Sequence, residues 1–317
     1  MINPNGTDLR ILVGSSHPKL GDEIAQYLGT ALGDIKFSRF SCGEIFTAIN
    51  ESIRGMNVFI IQTAGPNINE DLMELFITLD AVKRASPKSI SVVIPHYGYA
   101  RQDKKAGPRE PISAKLMANL LTVAGATRII TMDLHADQIQ GYFDIPVDHL
   151  TAQPLFVRYF QNKNLKDLVV VAPDTGRAKN CKKLADNIGA ELAILHKTRP
   201  EHNKAEIMHV VGDVKDKTVI LFDDMVDTAG SVTQGLAALR KHGCNEEMYL
   251  AATHAVFSGP AIERLKVAKF KEVVVTNTIP LPKEKKFDGL KILSTAPLFA
   301  EAISRNHNNL SISEIFK

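Results

Sequence analysis

One pattern constrains this chain more than any other: short runs rich in β-branched residues alternate with helix-periodic segments almost from end to end. Strand candidates are Arg10–Val13, Val58–Gln62, Ile90–Ile94 and Arg128–Met132, then Leu168–Ala172, Leu192–Leu195, Thr218–Phe222, Met248–Thr253 and Glu272–Thr276. Most are apolar on both faces, which a strand tolerates only where helices cover the sheet on both sides; this predicts parallel sheets in an α/β fold. Between them, Leu72, Leu75, Phe76 and Leu79 share a helix face by their spacing, as do Leu116, Leu120 and Val123. Val232, Leu236 and Leu239 form a third such face, with Gly243 as its stop. Two open domains are expected, residues 1–150 and 151–296, with the boundary near Asp148–Pro154 and a helical tail, 297–317, completing the first.

With 317 residues, 44% of them hydrophobic and 23% charged, the chain can bury two cores of ordinary size. A formal charge of +3 gives no electrostatic footprint for nucleic acid. Cys42, Cys181 and Cys244 are too few and scattered for a disulfide framework or a zinc site. The opening MINPNGTDLR has no basic segment leading into an apolar run, and no stretch approaches the ~20 apolar residues that cross a bilayer. A cytoplasmic protein without membrane contact is expected.

Ligands of open parallel sheets gather beyond the carboxyl ends of the strands. The loop "VILFDDMVDTAGSV", Val219 to Val232, runs from an apolar strand into Asp223 and Asp224, then Asp227 and Thr228-Ala229-Gly230-Ser231. Backbone N–H groups and hydroxyls at a helix start can cradle a phosphate, with Thr228 and Ser231 as expected caps. Carboxylates repel phosphate but accept hydrogen bonds from vicinal sugar hydroxyls. An isolated case would read as a capped helix with solvated acids; three acids in one strand-end loop favour a ligand. There is no Gly-Lys dipeptide and no G-x-G, so neither a Walker loop nor a dinucleotide fingerprint is present. "PHYGYARQDKK" supplies Arg101, Gln102, Lys104 and Lys105; "MDLHADQ" supplies Asp133 and His135; "APDTGRAK" supplies Asp174; "LHKTRP" supplies Lys197 and Arg199. Each alone is compatible with a solvated surface.

Together, "IPHYGYARQDKKAGPREPISAKL", "RIITMDLHADQIQGYFDIPVDHL", "VGDVKDKTVILFDDMVDTAGS", "FSGPAIER" and "VVVTNTIPLP" closely resemble the class I ribose-phosphate diphosphokinases nearly end to end. The resemblance implies two phosphoribosyltransferase-like domains and a homo-oligomer, a hexamer. It implies transfer of a diphosphoryl group from Mg-ATP to ribose 5-phosphate, for nucleotide biosynthesis, with Mg²⁺ as cofactor. By position, Asp227, Thr228, Ala229, Gly230 and Ser231 take the 5-phosphate, and Asp223 and Asp224 the ribose hydroxyls. Arg101 and Gln102 take the ATP phosphates, and His135 and Asp174 fall on magnesium positions. Lys197 and Arg199 belong to a catalytic loop, in which Arg199 also reaches the sugar phosphate. Phe40, Cys42, Gly43 and Glu44 match the segment that receives adenine from a neighbouring subunit. Arg54, Arg84, Ser311 and Ser313 match positions of control by inorganic phosphate and ADP.

The chain departs from the family's pattern at Cys42 (usually Asn or Asp), Pro108 (usually Ser), Arg177 (usually Gly) and Asn180 (usually Arg). A glycine at 177 would suit a left-handed turn, so strain is expected at Arg177. If a helix starts there, residues 177 and 180 share a face, and Arg177 is expected to return the missing positive charge to a phosphate. A phosphoribosyltransferase would share the acidic turn but not "GYARQDKK" or "MDLHA". A non-catalytic regulatory relative would be expected to lose the lysine loop and disrupt the acidic turn; both are intact here.

Overall fold

The computed structural model describes residues 8–198 and 207–316, which divide into two compact units. The first comprises residues up to Thr151 with Thr278–Pro280 and Ser294 onward; the second comprises Ala152–Asn277 and Leu281–Leu293. Both are open α/β sheets, as the alternating pattern predicts.

In the first unit the chain order is β1 (Leu9–Val13), α1 (Pro18–Leu28), β2 (Ile35–Arg39), β3 (Ile45–Ile49), β4 (Asn57–Ile61), α2 (Ile68–Arg84), β5 (Ser89–Ile94), α3 (Ser113–Ala124), β6 (Arg128–Met132) and β7 (Val147–Leu150). Strands β1, β4, β5, β6 and β7 lie side by side in that order, all parallel, while β2 and β3 form a separate antiparallel hairpin. Alternate strand residues Leu12, Ile60, Val92 and Ile129 meet Leu75 and Leu79 of α2 and Ala114, Ala118 and Leu121 of α3 in one buried core.

The face of α3 expected inside is outside. Leu116, Leu120 and Val123 are 51%, 39% and 76% exposed. The sequence SAKLMANLLTVA is apolar on nearly every side, so its periodicity does not fix its rotation. The structure turns the small residues Ala114 and Ala118 inward.

The second unit follows with α4 (Gln153–Gln161), β8 (Leu168–Ala172), α5 (Ala178–Ile188), β9 (Glu191–Thr198), β10 (Ile207–Val211), β11 (Thr218–Val226), α6 (Gly230–Lys241), β12 (Met248–Ala255), α7 (Ala261–Ala268), β13 (Glu272–Thr276) and β14 (Leu290–Leu293). Its sheet has the order β10-β9-β8-β11-β12-β13-β14, parallel except where β10 pairs with β9. Every residue of β12 is buried, as a central strand covered on both faces requires. Helix α6 ends one residue before His242, and Gly243 follows at φ 75°, the left-handed stop its position predicts. The final helix, α8 (Ala296–His307), belongs to the first unit and packs on α1.

The two sheets differ in one respect that bears on ligands. In the first, successive parallel strands are added in a single direction. In the second, the chain moves from β8 to β9 on one side, then returns to β11 on the other. The strand order therefore reverses between β8 and β11, the place where open sheets leave a crevice at their carboxyl ends.

Behind the first sheet's strand ends lies a buried acidic cluster. Glu74 accepts from Ser15 N, Ser15 Oγ and Gln62 Nε2, and Asp71 Oδ2 accepts from Gly65 N at 2.8 Å. Burial pushes the Asp71 carboxyl up to about 6; the Gly65 N–H opposes this, and the charges of Glu74 and Glu70 add to it. A carboxyl that protonates more readily when folded makes the fold less stable as pH rises from about 4 to about 6. Asp71→Asn keeps an oxygen for Gly65 and should remove that loss. The variant should gain about 1 kcal/mol at pH 8, discounted for solvent that reaches the cluster. Equal denaturation midpoints for the two proteins at pH 8 would contradict this.

Candidate active site

The site is built on β11, which outruns its neighbour. β8 ends at Ala172, and its pairing with β11 reaches Leu221; β12 stays paired through Val226. Asp223 to Val226 thus have a sheet neighbour on one side only, and Asp223 and Asp224 stand at the order reversal. Below them the strand is anchored by apolar contacts. Phe222 packs edge-on against Phe156 at 5.3 Å, and its carbonyl accepts from the buried Cys181 thiol. Burial pushes that thiol well above its ordinary range, so Cys181 is a packing residue.

After Val226 the chain turns into α6. The expected caps, Thr228 and Ser231, do not take that role. The capping residue is Ala229, in the left-handed conformation at φ 58°, with no side-chain cap. The first amides of α6 have no intrahelical acceptor, so they face whatever lies in the turn. The turn is instead braced from the β12–α7 connection. Phe257 N donates to Val226 O, Ser258 N donates to Asp227 O, and the Ser258 hydroxyl bonds the Asp227 carboxylate. Arg264 Nη1 donates to Thr228 O at 3.0 Å and lies 3.3 Å from where a Cβ on Gly230 would stand. Backbone donors, the Ser231 hydroxyl and a nearby guanidinium suit a phosphate.

Asp174, exposed beyond β8, caps the short 3-10 turn Thr175–Arg177, with Oδ1 accepting from Arg177 N at 3.0 Å. Arg177 has φ −90°, so the left-handed strain expected there is absent. Its guanidinium turns onto the acids: Nη2 is 2.8 Å from Asp224 Oδ2 and Nε is 3.8 Å from Asp223 Oδ1. The expected move of a charge to a phosphate is therefore replaced by an ion pair. Asn180 offers its carbonyl to Gln153 Nε2. Asp223 Oδ1 also accepts from Asp224 N at 2.8 Å. Burial, then the Asp224 carboxylate, push Asp223 well above the usual carboxylate range, against the Asp224 amide and the Arg177 charge.

In the first unit, Phe40, Cys42, Gly43 and Glu44 form the exposed tip of the β2–β3 hairpin. Phe40 N donates to Glu44 O, Gly43 N donates to Phe40 O, and the Phe40 ring stacks edge-on against Phe46. A Cβ on Gly43 would meet nothing within 4 Å, so its φ of 96° is the reason for glycine. Arg101 and Gln102 are exposed in the loop after β5; Gln102 Oε1 accepts from Ser113 Oγ, which leaves its amide protons pointing elsewhere. His135 is half-buried in the loop after β6. That loop is held by His149, whose Nε2 accepts from Leu134 N at 2.8 Å, and burial keeps the ring's pKa low against Asp133 and Asp137. Arg54 and Arg84 are exposed on segments tied by Gly55 N to Ser86 O, and Arg84 pairs with Asp80 at 2.7 Å. Ser311 and Ser313 share a hydrogen bond of 2.8 Å.

Residues 9–125 match the model of the N-terminal domain of ribose phosphate pyrophosphokinase, and residues 199–317 that of the phosphoribosyl synthetase-associated domain. The chain is 55% identical to a ribose-phosphate pyrophosphokinase of Caldanaerobacter subterraneus over 309 residues, 97% of this chain and 98% of that one. It is 52% identical to that of Bacillus subtilis over 309 residues, 98% and 97% of the two chains. The crystal structure of phosphoribosylpyrophosphate synthetase from Mycobacterium smegmatis superposes with a TM-score of 0.90 at 46% identity, covering 95% of this chain and 99% of that one. The chain belongs to the ribose-phosphate pyrophosphokinase family.

Two residues assigned from the family's pattern lie outside what is described: Arg199, and the side chain of Lys197. Three residues that the sequence reading left without a role, Ser258, Arg264 and His149, act by holding site loops. The first two sit in "FSGPAIER", whose purpose shows only when α7 is seen against the acidic turn. Ser258→Ala should loosen that turn. Amide exchange at residues 227–231 should accelerate about fivefold, the effect of one lost hydrogen bond, with β11 and β12 unaffected. Unchanged exchange at these amides would show that the brace is not needed.

Proposed function

We propose that this chain transfers the diphosphoryl group of ATP to the C1 hydroxyl of ribose 5-phosphate, giving 5-phosphoribosyl 1-diphosphate and AMP for nucleotide biosynthesis. The observation that carries the reading is the acid pair followed by a phosphate-compatible turn at the carboxyl end of β11, in a chain of this family. Asp223 and Asp224 receive the ribose hydroxyls, and Asp227 to Ser231 receive the 5-phosphate. The sugar's C1 oxygen then forms a bond to the β-phosphorus while the bond from that phosphorus to the α,β-bridging oxygen breaks. AMP leaves with that oxygen, and the hydroxyl proton passes to solvent.

The first unit supplies the nucleotide's partners. Arg101 and Gln102 hold the ATP phosphates, and the hairpin tip Phe40 to Glu44 receives adenine from a neighbouring subunit. Lys197 and Arg199 neutralise charge on the phosphates in transfer. His135 and Asp174 would hold Mg²⁺. Asp174 fits a hard, oxygen-preferring ion, being an exposed carboxylate with one oxygen occupied by an amide. Magnesium usually keeps several waters and takes substrate phosphates as ligands, so one or two protein groups suffice. When bound, the ion supplies positive charge at the phosphates.

The protein works in the cytoplasm as a hexamer, and no helix among the described residues is long and apolar enough to cross a membrane. The exposed apolar stripe Leu116, Leu120 and Val123 of α3 supports self-association; light scattering that gives a monomer at micromolar concentration would contradict it. Inorganic phosphate and ADP act through Arg54, Arg84, Ser311 and Ser313. Pro108, without an N–H or hydroxyl, weakens that response. Activity that does not change on titration with either effector would remove this control.

The test is product analysis with ATP and ribose 5-phosphate. AMP should appear only when the sugar phosphate is present; ADP in its place would reject the mechanism. In the same assay Lys197→Ala should lower kcat by about 10²-fold or more, with a much smaller change in KM. An unchanged kcat would make Lys197 a binding residue only.

A further inference from the structure

Apart from the candidate active site, the second unit carries a groove of about 400 Å³ between α6 and α7. That volume lies in the range of small-molecule sites. Its walls are apolar: Leu236 and Ala237 from α6, Val267 and Ala268 from α7. Val267 is 79% exposed, so the groove is open to solvent. One exposed valine on a helix is ordinary. An apolar groove bracketed by two guanidinium groups is not.

Both arginines cross from one helix to the other. Arg264 leaves α7 and donates from Nη1 to Thr228 O at 3.0 Å, just before α6 starts. Arg240 leaves the last turn of α6 and donates from Nη2 to Ala268 O, the last residue of α7, also at 3.0 Å. A helix rises about 15 Å over the ten residues from Gly230 to Arg240, so the two crossings stand well apart. Each guanidinium has five N–H donors, and a single carbonyl accepts from it. Glu263, the one carboxylate that lines the groove, pairs with neither arginine among the described residues. Two cations against one anion, over an apolar floor, select a ligand of the complementary design: an apolar body carrying a carboxylate. An organic cation meets like charge there, and an inorganic anion leaves the apolar walls in water.

Arg264 also belongs to the turn before α6. Its Nη1 lies 3.3 Å from where a Cβ on Gly230 would stand. A carboxylate on the open edge of this guanidinium neutralises a positive charge beside the turn, or draws the head group away from Thr228. Either change lowers the affinity of the turn for a phosphate. We propose that the α6–α7 groove binds a small organic carboxylate with an apolar body, and that Arg264 couples its occupation to weaker phosphate binding at the turn. The coupling rests on the reading of Asp227 to Ser231 as the phosphate site and goes beyond it by naming a separate effector site. The groove's own ligand does not depend on that reading.

Octanoate is the probe, followed by methyl NMR of the unaltered protein without nucleotide or sugar. The methyl signals of Leu236, Ala237 and Val267 should move together with a Kd of about 1 mM or below, while octylammonium leaves them in place. Arg240→Gln keeps a donor for Ala268 O and should weaken octanoate about tenfold, the equivalent of one charge-assisted contact. Ala237→Leu, at an exposed helix position, fills the groove and should abolish the shifts at Leu236 and Val267. In calorimetric titrations, saturating octanoate should weaken ribose 5-phosphate binding about fivefold, and the sugar phosphate should weaken octanoate by the same factor. In Arg264→Gln that factor should fall to about one. No shifts with octanoate, or equal shifts with octylammonium, would overturn the site. Shifts that appear on raising protein concentration alone would make the groove an interface between copies and overturn it too. Octanoate binding that leaves ribose 5-phosphate affinity unchanged, or a factor that persists in Arg264→Gln, would overturn the coupling. A protein that takes octanoate in the groove but binds no ribose 5-phosphate would lose the phosphate reading and the coupling, and keep the site.

Discussion

The site depends on a mismatch of strand lengths. β11 continues to Val226 while β8 stops at Ala172, and β12 keeps β11 extended past that point. Without the unequal ends, the carboxylates at 223 and 224 would enter a buried ladder, where two adjacent negative charges are costly. With them, the acids stand at the mouth of the sheet, beside the turn that caps β8 and before the helix that follows β11. The placing of the acid pair, the turn into α6 and the Arg177 ion pair follows from one register.

Charge then divides the site. The acid pair meets Arg177 at the strand end, and the N-terminus of α6 presents partial positive charge a few residues later. A ligand with hydroxyls at one end and a phosphate at the other matches that separation. Strain is stored around the turn at Ala229 and Phe257, both left-handed at about 1 kcal/mol each, and the bonds from Ser258 and Arg264 hold the turn in place.

Much of this was legible in the sequence, and the reasons for success and failure are physical. The nine strands expected from apolar runs are present, most clearly where a central strand such as β12 is buried on both faces. β2 and β3 were missed because none of their residues is fully buried, and β7, β10 and β14 because edge strands carry few buried residues. The wrong face of α3 followed from a helix that is apolar almost all round. In the site, Asp223, Asp224 and Asp227 could be read because the acids are adjacent in the chain. The ion pair of Arg177 could not, since it depends on a contact 47 positions away in sequence, and the residue's backbone conformation was misjudged by analogy with glycine. Ser258 and Arg264 gave a recognisable motif without revealing what it braces.

The central claim is that two phosphoryl units move together. ATP labelled with ³²P at the β-position, incubated with the protein, ribose 5-phosphate and magnesium, separates this from ordinary kinase chemistry. The account predicts that the label leaves the adenine nucleotide and appears in the sugar product, with unlabelled AMP formed in equal amount. Label retained in ADP would contradict it.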